Sequence, residues 1–387
     1  MADLNGDTLM AQILTDVIIA NTSGEKGDHF WDNGEGNLLK ALILYVDQEA
    51  TREYNYKNLP AVYQLLTQNS EKDLSIKFAK LPINHPAKAP YNLFAQASDT
   101  VRAGIILGLG TRLQVLQNEA VSLITSSSDI DLTEPGKTKC AYFLIMSDQE
   151  SSMEFLSSLF FSFLFIKLIR YADSTPEGRC RVPVNLVLEE ASNIGTINDL
   201  PRRLSTIRSR MCQVVMTMQN LAQLQNRYPD QQWAEILGNM DTELMLGCTD
   251  AVTADFFSIR SGDMTVEVNG TMTVRKTIAV AQFIPQYRST EGMGRRRLLT
   301  PDEVLRLPND ELLIVVRGQN VLKANKFDYT DHPLAKEIVK CRINDYQPQI
   351  MSFPLPQTET ESAIDSDPED SPPSKKLYGA HRPPEDF

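Results

Sequence analysis

The chain has 387 residues, 42% of them hydrophobic and 23% charged, which suits a folded protein with two or three domains and a sizeable core. Its net charge of −12 excludes bulk electrostatic attraction to nucleic acid, so any DNA contact must come from a local basic surface or a ring of subunits. Five scattered cysteines and four scattered histidines form no CxxC pair and no ligand cluster, which argues for reduced thiols and against a disulfide framework or a zinc site.

The chain opens on a polar, acidic segment with no signal-peptide pattern. Residues 1–46 read as helical, with Leu9, Ile13, Val17 and Ile18, then Leu38, Leu39, Leu42, Ile43 and Val46, at helical spacing. Residues 47–127 show no strand pattern: 58–68 and 71–81 read as helices, and one long helix is expected from Tyr91 to Ile124. This block reads as an all-helical insertion.

At Lys139 the character changes. Cys140–Met146 is expected to be a strand, with Ser147-Asp148 capping a helix over Met153–Tyr171. The most apolar stretch, Phe155 to Ile169, falls short of the ~18 residues a membrane span needs and reads as a buried helix. Strand Val184–Leu188, helix Leu200–Arg210, strand Gln213–Met218, helix Trp233–Met240, strand Glu243–Leu246 and helix Val252–Arg260 follow. Apolar strands alternating with helices indicate an α/β fold with a mostly parallel sheet. Beyond Gly262, Asn269-Gly270 between Thr265–Val268 and Thr271–Val280 predicts a hairpin turn, and Leu312–Val316 a last strand. From about Gln347 onward, Pro, Ser and acidic residues predict a disordered tail.

The chemistry-bearing feature is the end of strand Val184–Leu188, which presents Glu189 and Glu190. In nucleotide hydrolysis one such carboxylate holds Mg²⁺, usually through water, and the next polarises the attacking water. A solvated acidic pair at a strand end is the competing reading. Downstream stand Arg202, Arg203, Arg208 and Arg210, then a strand leading to Gln219, a position suited to sensing a γ-phosphate. Gly136-Lys137-Thr138 is rejected as a phosphate cradle: Asp131 stands where the loop's first glycine is needed, and a strand pattern follows instead of a helix. Arg202, Arg203 and the run Arg295-Arg296-Arg297 are the candidates for DNA contact, with a balanced or solvated basic surface as the alternative.

Several ordered blocks resemble the type IV coupling proteins, the conjugative DNA-transfer ATPases that link a relaxosome to a type IV secretion channel. They are Asp28-His29-Phe30-Trp31 with Leu38–Ile43, Phe143–Asp148, Leu188-Glu189-Glu190-Ala191-Ser192-Asn193-Ile194-Gly195, Ile207–Arg210, Met218–Leu224, Gly238–Thr242, Leu298–Val304 and Gly318. The resemblance spans about residues 8 to 335 and implies a RecA-like P-loop NTPase core with an all-helical insertion. The expected division is 1–46, helical part of the nucleotide-binding domain; 47–127, all-α domain; 128–345, RecA-like domain; and 346–387, tail. By position it implies Glu190 as catalytic carboxylate, Glu189 as the metal-side acid for Mg²⁺, Gln219 as phosphate sensor and Arg208 as arginine finger. ATP is the implied nucleotide. The implied partners are the relaxase and relaxosome, single-stranded DNA and the secretion-channel ATPases, with a homohexamer at the cytoplasmic face of the bacterial plasma membrane.

Two departures stand out. Glu189 replaces the family's usual Asp, moving the carboxylate by roughly an ångström, one carbon–carbon bond. The chain also begins after the point where the family has its phosphate-binding loop and membrane helices, so alone it is expected to bind ATP poorly and hydrolyse it negligibly. The rivals are another hexameric P-loop DNA motor and a non-catalytic adaptor that binds relaxase or DNA.

Overall fold

The computed structural model describes residues 1, 4, 6–22, 29–53, 57–146, 153–274 and 286–342. The chain divides into two compact units, Met1–Lys326 and Phe327–Phe387. Within the second, the described residues form two 3-10 turns, Tyr329–Asp331 and Pro333–Glu337, the first opened by the Asp328 carboxylate accepting the Thr330 N–H. The tail expected from residue 346 lies outside the described residues.

The first unit opens with seven helices around one core. Helix α1 (Thr8–Thr22) buries Ala11, Leu14 and Ile18, and α2 (His29–Glu53) buries Leu38, Leu42 and Ile43 against them. Helix α3 (Leu59–Thr67) starts where Asn58 accepts the Ala61 N–H, and α4 (Glu71–Ala79) starts on a reciprocal cap between Ser70 and Asp73. The single helix expected from Tyr91 to Ile124 is instead four pieces: α5 (Lys88–Ala95), α6 (Asp99–Arg112), a 3-10 turn (Gln114–Gln117) and α7 (Glu119–Ser126). Periodicity hid the breaks, which local polar residues make: Ser98 takes extended backbone before α6, and the Asn118 side chain accepts the Ala120 and Val121 N–H groups.

Helices α2 and α6 approach closely because glycines face them. A Cβ on Gly104 would meet the Trp31 ring, and one on Gly108 would collide with the Glu35 carboxylate. Behind those glycines the Arg112 guanidinium pairs with both Asp32 and Glu35, three side chains each at most 18% exposed. Removing the cation takes away the charge that both carboxylates face in a largely buried site. Arg112→Met is therefore expected to destabilise the fold by about 3 kcal/mol, the low end for breaking a buried pair, because the cluster is not fully desolvated. Urea unfolding at neutral pH measures it; a loss below about 1 kcal/mol would place the pair in the weak class of surface bridges.

After α8 (Glu134–Lys137) comes α9 (Glu154–Ser174), then β1 (Val184–Leu188), α10 (Leu200–Ile207) and β2 (Cys212–Met216). Helix α9 is long and apolar enough to cross a bilayer. Its Phe155 joins the first core, while Leu164, Phe165 and Leu168 are buried in a second with Leu186 and Leu188. Strands β1 and β2 are parallel, with Val184 beside Cys212 and Leu188 beside Met216. The chain continues through α11 (Leu221–Arg227), α12 (Gln232–Gly238), β3 (Thr242–Met245), α13 (Ala251–Arg260), β4 (Asp263–Val274), β5 (Gln286–Arg297), α14 (Pro301–Leu305), β6 (Glu311–Val316) and β7 (Leu322–Asn325). Strands β3, β6 and β7 form an antiparallel sheet, and β4 and β5 a separate antiparallel ribbon.

Two expectations are corrected here. Residues 140–146 form no strand: among the described residues they have no ladder partner, they expose Phe143 and Ile145, and an apolar run becomes a strand only where an edge supplies hydrogen bonds. The Asn269-Gly270 pair is not a turn, since it lies within β4 opposite Glu291 and Thr290. The alternation Met264, Val266, Val268 resumes at Met272, so the two-residue period overrides the local turn signal. The Ser147-Asp148 cap and residues 275–280 lie outside the described residues.

Candidate active site

Strand β1 alternates strictly, with Val184, Leu186 and Leu188 inward and Asn185 and Val187 outward. After Leu188 the chain must leave the sheet, and Glu189 and Glu190 are both exposed at its carboxyl end. Glu190 does so in the left-handed region, φ 46° and ψ 54°. That conformation costs a non-glycine residue on the order of 1 kcal/mol, and it persists only where neighbours impose it. Thr217 is the neighbour: its hydroxyl accepts the Glu190 N–H at 3.0 Å, its carbonyl accepts the Ala191 N–H at 2.8 Å, and its own N–H donates to Leu188 O at 3.0 Å. The ends of β1 and β2 are thus stitched together beneath the Glu190 carboxylate.

That carboxylate is held from two sides. Asn193 Nδ2 donates to one oxygen at 2.9 Å, and Gln219 Nε2 donates to the other across a longer 3.5 Å. Gln219 stands between β2 and α11, where Asn220 caps the helix by accepting the Gln223 N–H and the Thr253 hydroxyl accepts the Leu221 N–H. The segment after Glu190 is seated on α9. Gly195 has φ +88°, and a Cβ there would lie 2.9 Å from the Glu154 carbonyl oxygen, so only glycine fits.

The structure therefore brings together Glu189, Glu190 and Gln219 at the carboxyl ends of the parallel pair, where ligands of open α/β sheets bind. It does not bring Arg208 there. Arg208 lies in the 3-10 turn Arg208–Arg210, before β2, at the opposite end of the strands. It is 81% exposed and pairs with Asp241 at 3.0 Å, a carboxylate it shares with Arg317 at 3.1 Å. Thr217 escaped sequence reasoning, although its place one residue past Met216, level with the acidic pair, was a usable signal.

Among the described residues no group of three or more His, Cys, Asp or Glu side chains forms a metal cage. Mg²⁺ needs none: one or two carboxylates with water and phosphate oxygens suffice, and the hard oxygens of Glu189 suit that role. Cys180 and Cys212 lie with sulfurs 3.9 Å apart, and burial pushes both thiols up, Cys212 to about 12, which disfavours the reactive thiolate.

The Gly136-Lys137-Thr138 segment is occupied by its own acids. Lys137 bonds Asp131 at 2.7 Å, and the Thr138 hydroxyl donates to Glu134 at 2.6 Å. Hydrogen bonds from Lys137 and then Thr133 hold the Asp131 carboxyl down at about 2, from an ordinary 3.8. A depressed carboxylate stabilises the fold above its ordinary value, and that contribution is lost as pH falls through about 2. Because the pair is exposed, the contribution is small. A carbon-13 titration of Asp131 should show its midpoint near 2, returning toward 3.8 in Lys137→Met; an ordinary midpoint before the substitution would contradict the pairing.

Of the arginines considered for DNA contact, Arg203 turns inward, while Arg295, Arg296 and Arg297 are exposed and bond to neighbouring side chains. Arg203 is buried and donates to Ser162 O at 2.6 Å. Arg295 pairs with Asp263, Arg296 with Glu303, and Arg297 donates to the Ser258 hydroxyl at 3.0 Å. Arg202 remains exposed.

Residues 4–355 match the family described as Type IV secretory system Conjugative DNA transfer. The chain belongs to this family. It is 22% identical over 325 residues to protein VirD4 of Agrobacterium fabrum, covering 83% of this chain and 47% of that protein. The type IV secretion system-coupling protein VirD4 of Bartonella quintana is 23% identical over 335 residues, covering 82% of this chain and 48% of that protein. The chain thus spans about half the length of the curated relatives it matches. Among solved structures, the plasmid coupling protein TrwB with a non-hydrolysable ATP analogue superposes with a TM-score of 0.60 at 14% identity, over 82% of this chain and 68% of that one. TrwB with ADP and Mg²⁺ superposes with a TM-score of 0.56 at 14% identity, over the same shares of the two chains. That likeness is one of fold: α/β, with a RecA-like core.

Proposed function

We propose that this chain is the part of a conjugative coupling protein that acts on the water and Mg²⁺ side of an ATP site. The observation that carries the reading is the Glu190 carboxylate, held in a left-handed turn by Thr217 and bracketed by Asn193 and Gln219. In this reading Glu190 accepts a proton from the attacking water, and Gln219 donates to a γ-phosphate oxygen. Glu189 would hold Mg²⁺ through water. Bound Mg²⁺ would neutralise charge on the phosphates. Arg208 is offered to the site of a neighbouring copy, which fits a ring such as a homohexamer.

The family assignment and the nucleotide complexes of TrwB support ATP and Mg²⁺ as ligands. They also support, at one remove, a motor that moves single-stranded DNA from a relaxase toward a secretion channel at the cytoplasmic side of the membrane. Residues 47–127 would then be the all-helical domain on a nucleotide-binding domain built from 1–46 and 128–345. With Arg203 buried, DNA contact falls to the exposed Arg202, Arg295, Arg296 and Arg297 and to surfaces that several copies bring together.

Among the described residues no glycine-rich loop opens a helix as a phosphate cradle. With Lys137 and Thr138 of the Gly-Lys-Thr segment engaged by Asp131 and Glu134, the 387-residue polypeptide alone is expected to hydrolyse ATP negligibly. Turnover measured with and without single-stranded DNA, beside capture of a relaxase, tests the reading. Robust hydrolysis by the isolated polypeptide that Glu190→Gln abolishes would show that it carries a phosphate cradle of its own. Relaxase capture with no ATP turnover by the protein from its native host would favour an adaptor.

A further inference from the structure

A glutamine amide has a donor end and an acceptor end, and beside a carboxylate or a phosphate only the donor end is useful. Something must therefore fix which end of Gln219 faces Glu190. Gln223, one turn along from Gln219, donates from Nε2 to Gln219 Oε1 at 3.4 Å, which leaves Gln219 Nε2 directed at Glu190. The Ser192 hydroxyl donates to Gln223 Oε1 at 3.1 Å, the nearer of its two acceptors, with Asn193 Oδ1 at 3.4 Å. Ser192 lies two residues past Glu190, so the hydrogen bonds close a ring across the end of β1 and the start of α11. Each donor points the same way round, from Ser192 to Gln223 to Gln219 to Glu190. The carboxylate at the end of that path can only accept, which agrees with the orientation that Gln223 gives to Gln219. One turn further, Arg227 donates to Ser192 O at 2.7 Å and holds the two segments together.

We propose that Gln223 is a positioning residue that fixes the Gln219 amide with its nitrogen toward Glu190 and the space before it. The value of that orientation to a phosphate rests on the ATP reading above; the orientation itself does not.

Three substitutions separate the roles of Gln223. Gln223→Met keeps the bulk and removes both bonds. Gln223→Lys keeps a donor toward Gln219 Oε1. Gln223→Glu keeps only acceptors, so it competes with Glu190 for the Gln219 nitrogen. Exchange of the Gln219 side-chain amide protons with solvent, followed by nitrogen-15 NMR on the 387-residue chain, reads the orientation without catalysis. Gln223→Met should speed exchange by about two- to tenfold, the worth of one exposed hydrogen bond. Gln223→Lys should return it toward the original rate, and Gln223→Glu should shift the amide resonances to a new position. Equal effects from all three, or none, would overturn the proposal. In the protein from its native host, Gln223→Met and Gln223→Glu should lower kcat for ATP more than they raise KM, with recovery in Gln223→Lys. If the unaltered protein shows no ATP turnover, the ATP reading fails, and the exchange data still decide the role of Gln223.

Discussion

Replacing Arg208 with alanine is expected to lower ATP turnover of the assembled protein by about a thousandfold, the lower range for an arginine supplied to a neighbouring site. Arg208 precedes β2 and Glu190 follows β1, and the two strands run parallel, so their active groups lie at opposite ends. Five residues of strand separate them by roughly 16 Å at about 3.3 Å per residue, more than an arginine side chain spans. Arg208 therefore cannot serve the Glu190 of its own chain, and its high exposure leaves it available to another.

Mixing distinguishes this from simple damage. Subunits carrying Arg208→Ala and subunits carrying Glu190→Gln, each inactive alone, should recover part of the turnover when assembled together. Some interfaces then pair an intact Glu190 with an intact Arg208. Undiminished turnover in Arg208→Ala, or no recovery on mixing, would remove Arg208 from the reaction. Asp241 ties Arg208 to Arg317, so the arginine is held in place before any neighbour arrives.

The sequence was most legible where one period dominates a segment. The spacing of Leu38, Leu42 and Ile43 in α2, and the inward Val184, Leu186 and Leu188 of β1, each announce the element they form. It was least legible where a few polar atoms decide the outcome. Ser98 and Asn118 break a continuous apolar pattern into separate helices, and nothing in that pattern marks the breaks. The run 140–146 has the composition of a strand, but composition does not supply a neighbouring edge. At Asn269-Gly270 a local preference yields to a ribbon whose pairing spans 12 residues on each side, since one turn competes with the whole ladder.

The candidate site shows the same division. Glu189, Glu190 and Gln219 were visible because strand ends and acidic pairs are local features. Thr217 and Gln223 matter through contacts across β1, β2 and α11, which no spacing along one segment displays. The left-handed turn at Glu190 was equally hidden, because it follows from what Thr217 imposes.

The most direct test of the account is ATP turnover by the protein purified from its native host, unaltered and with Glu190→Gln, with nucleotide binding measured in parallel. Removing a general base from a positioned water costs about 10²- to 10⁴-fold, so turnover should fall by that factor. Nucleotide affinity should stay nearly unchanged, because Glu190→Gln keeps the size of the side chain and an oxygen for the shorter bond from Asn193, giving up only the 3.5 Å bond from Gln219. Turnover that survives Glu190→Gln within a few-fold would contradict the role given to the end of β1.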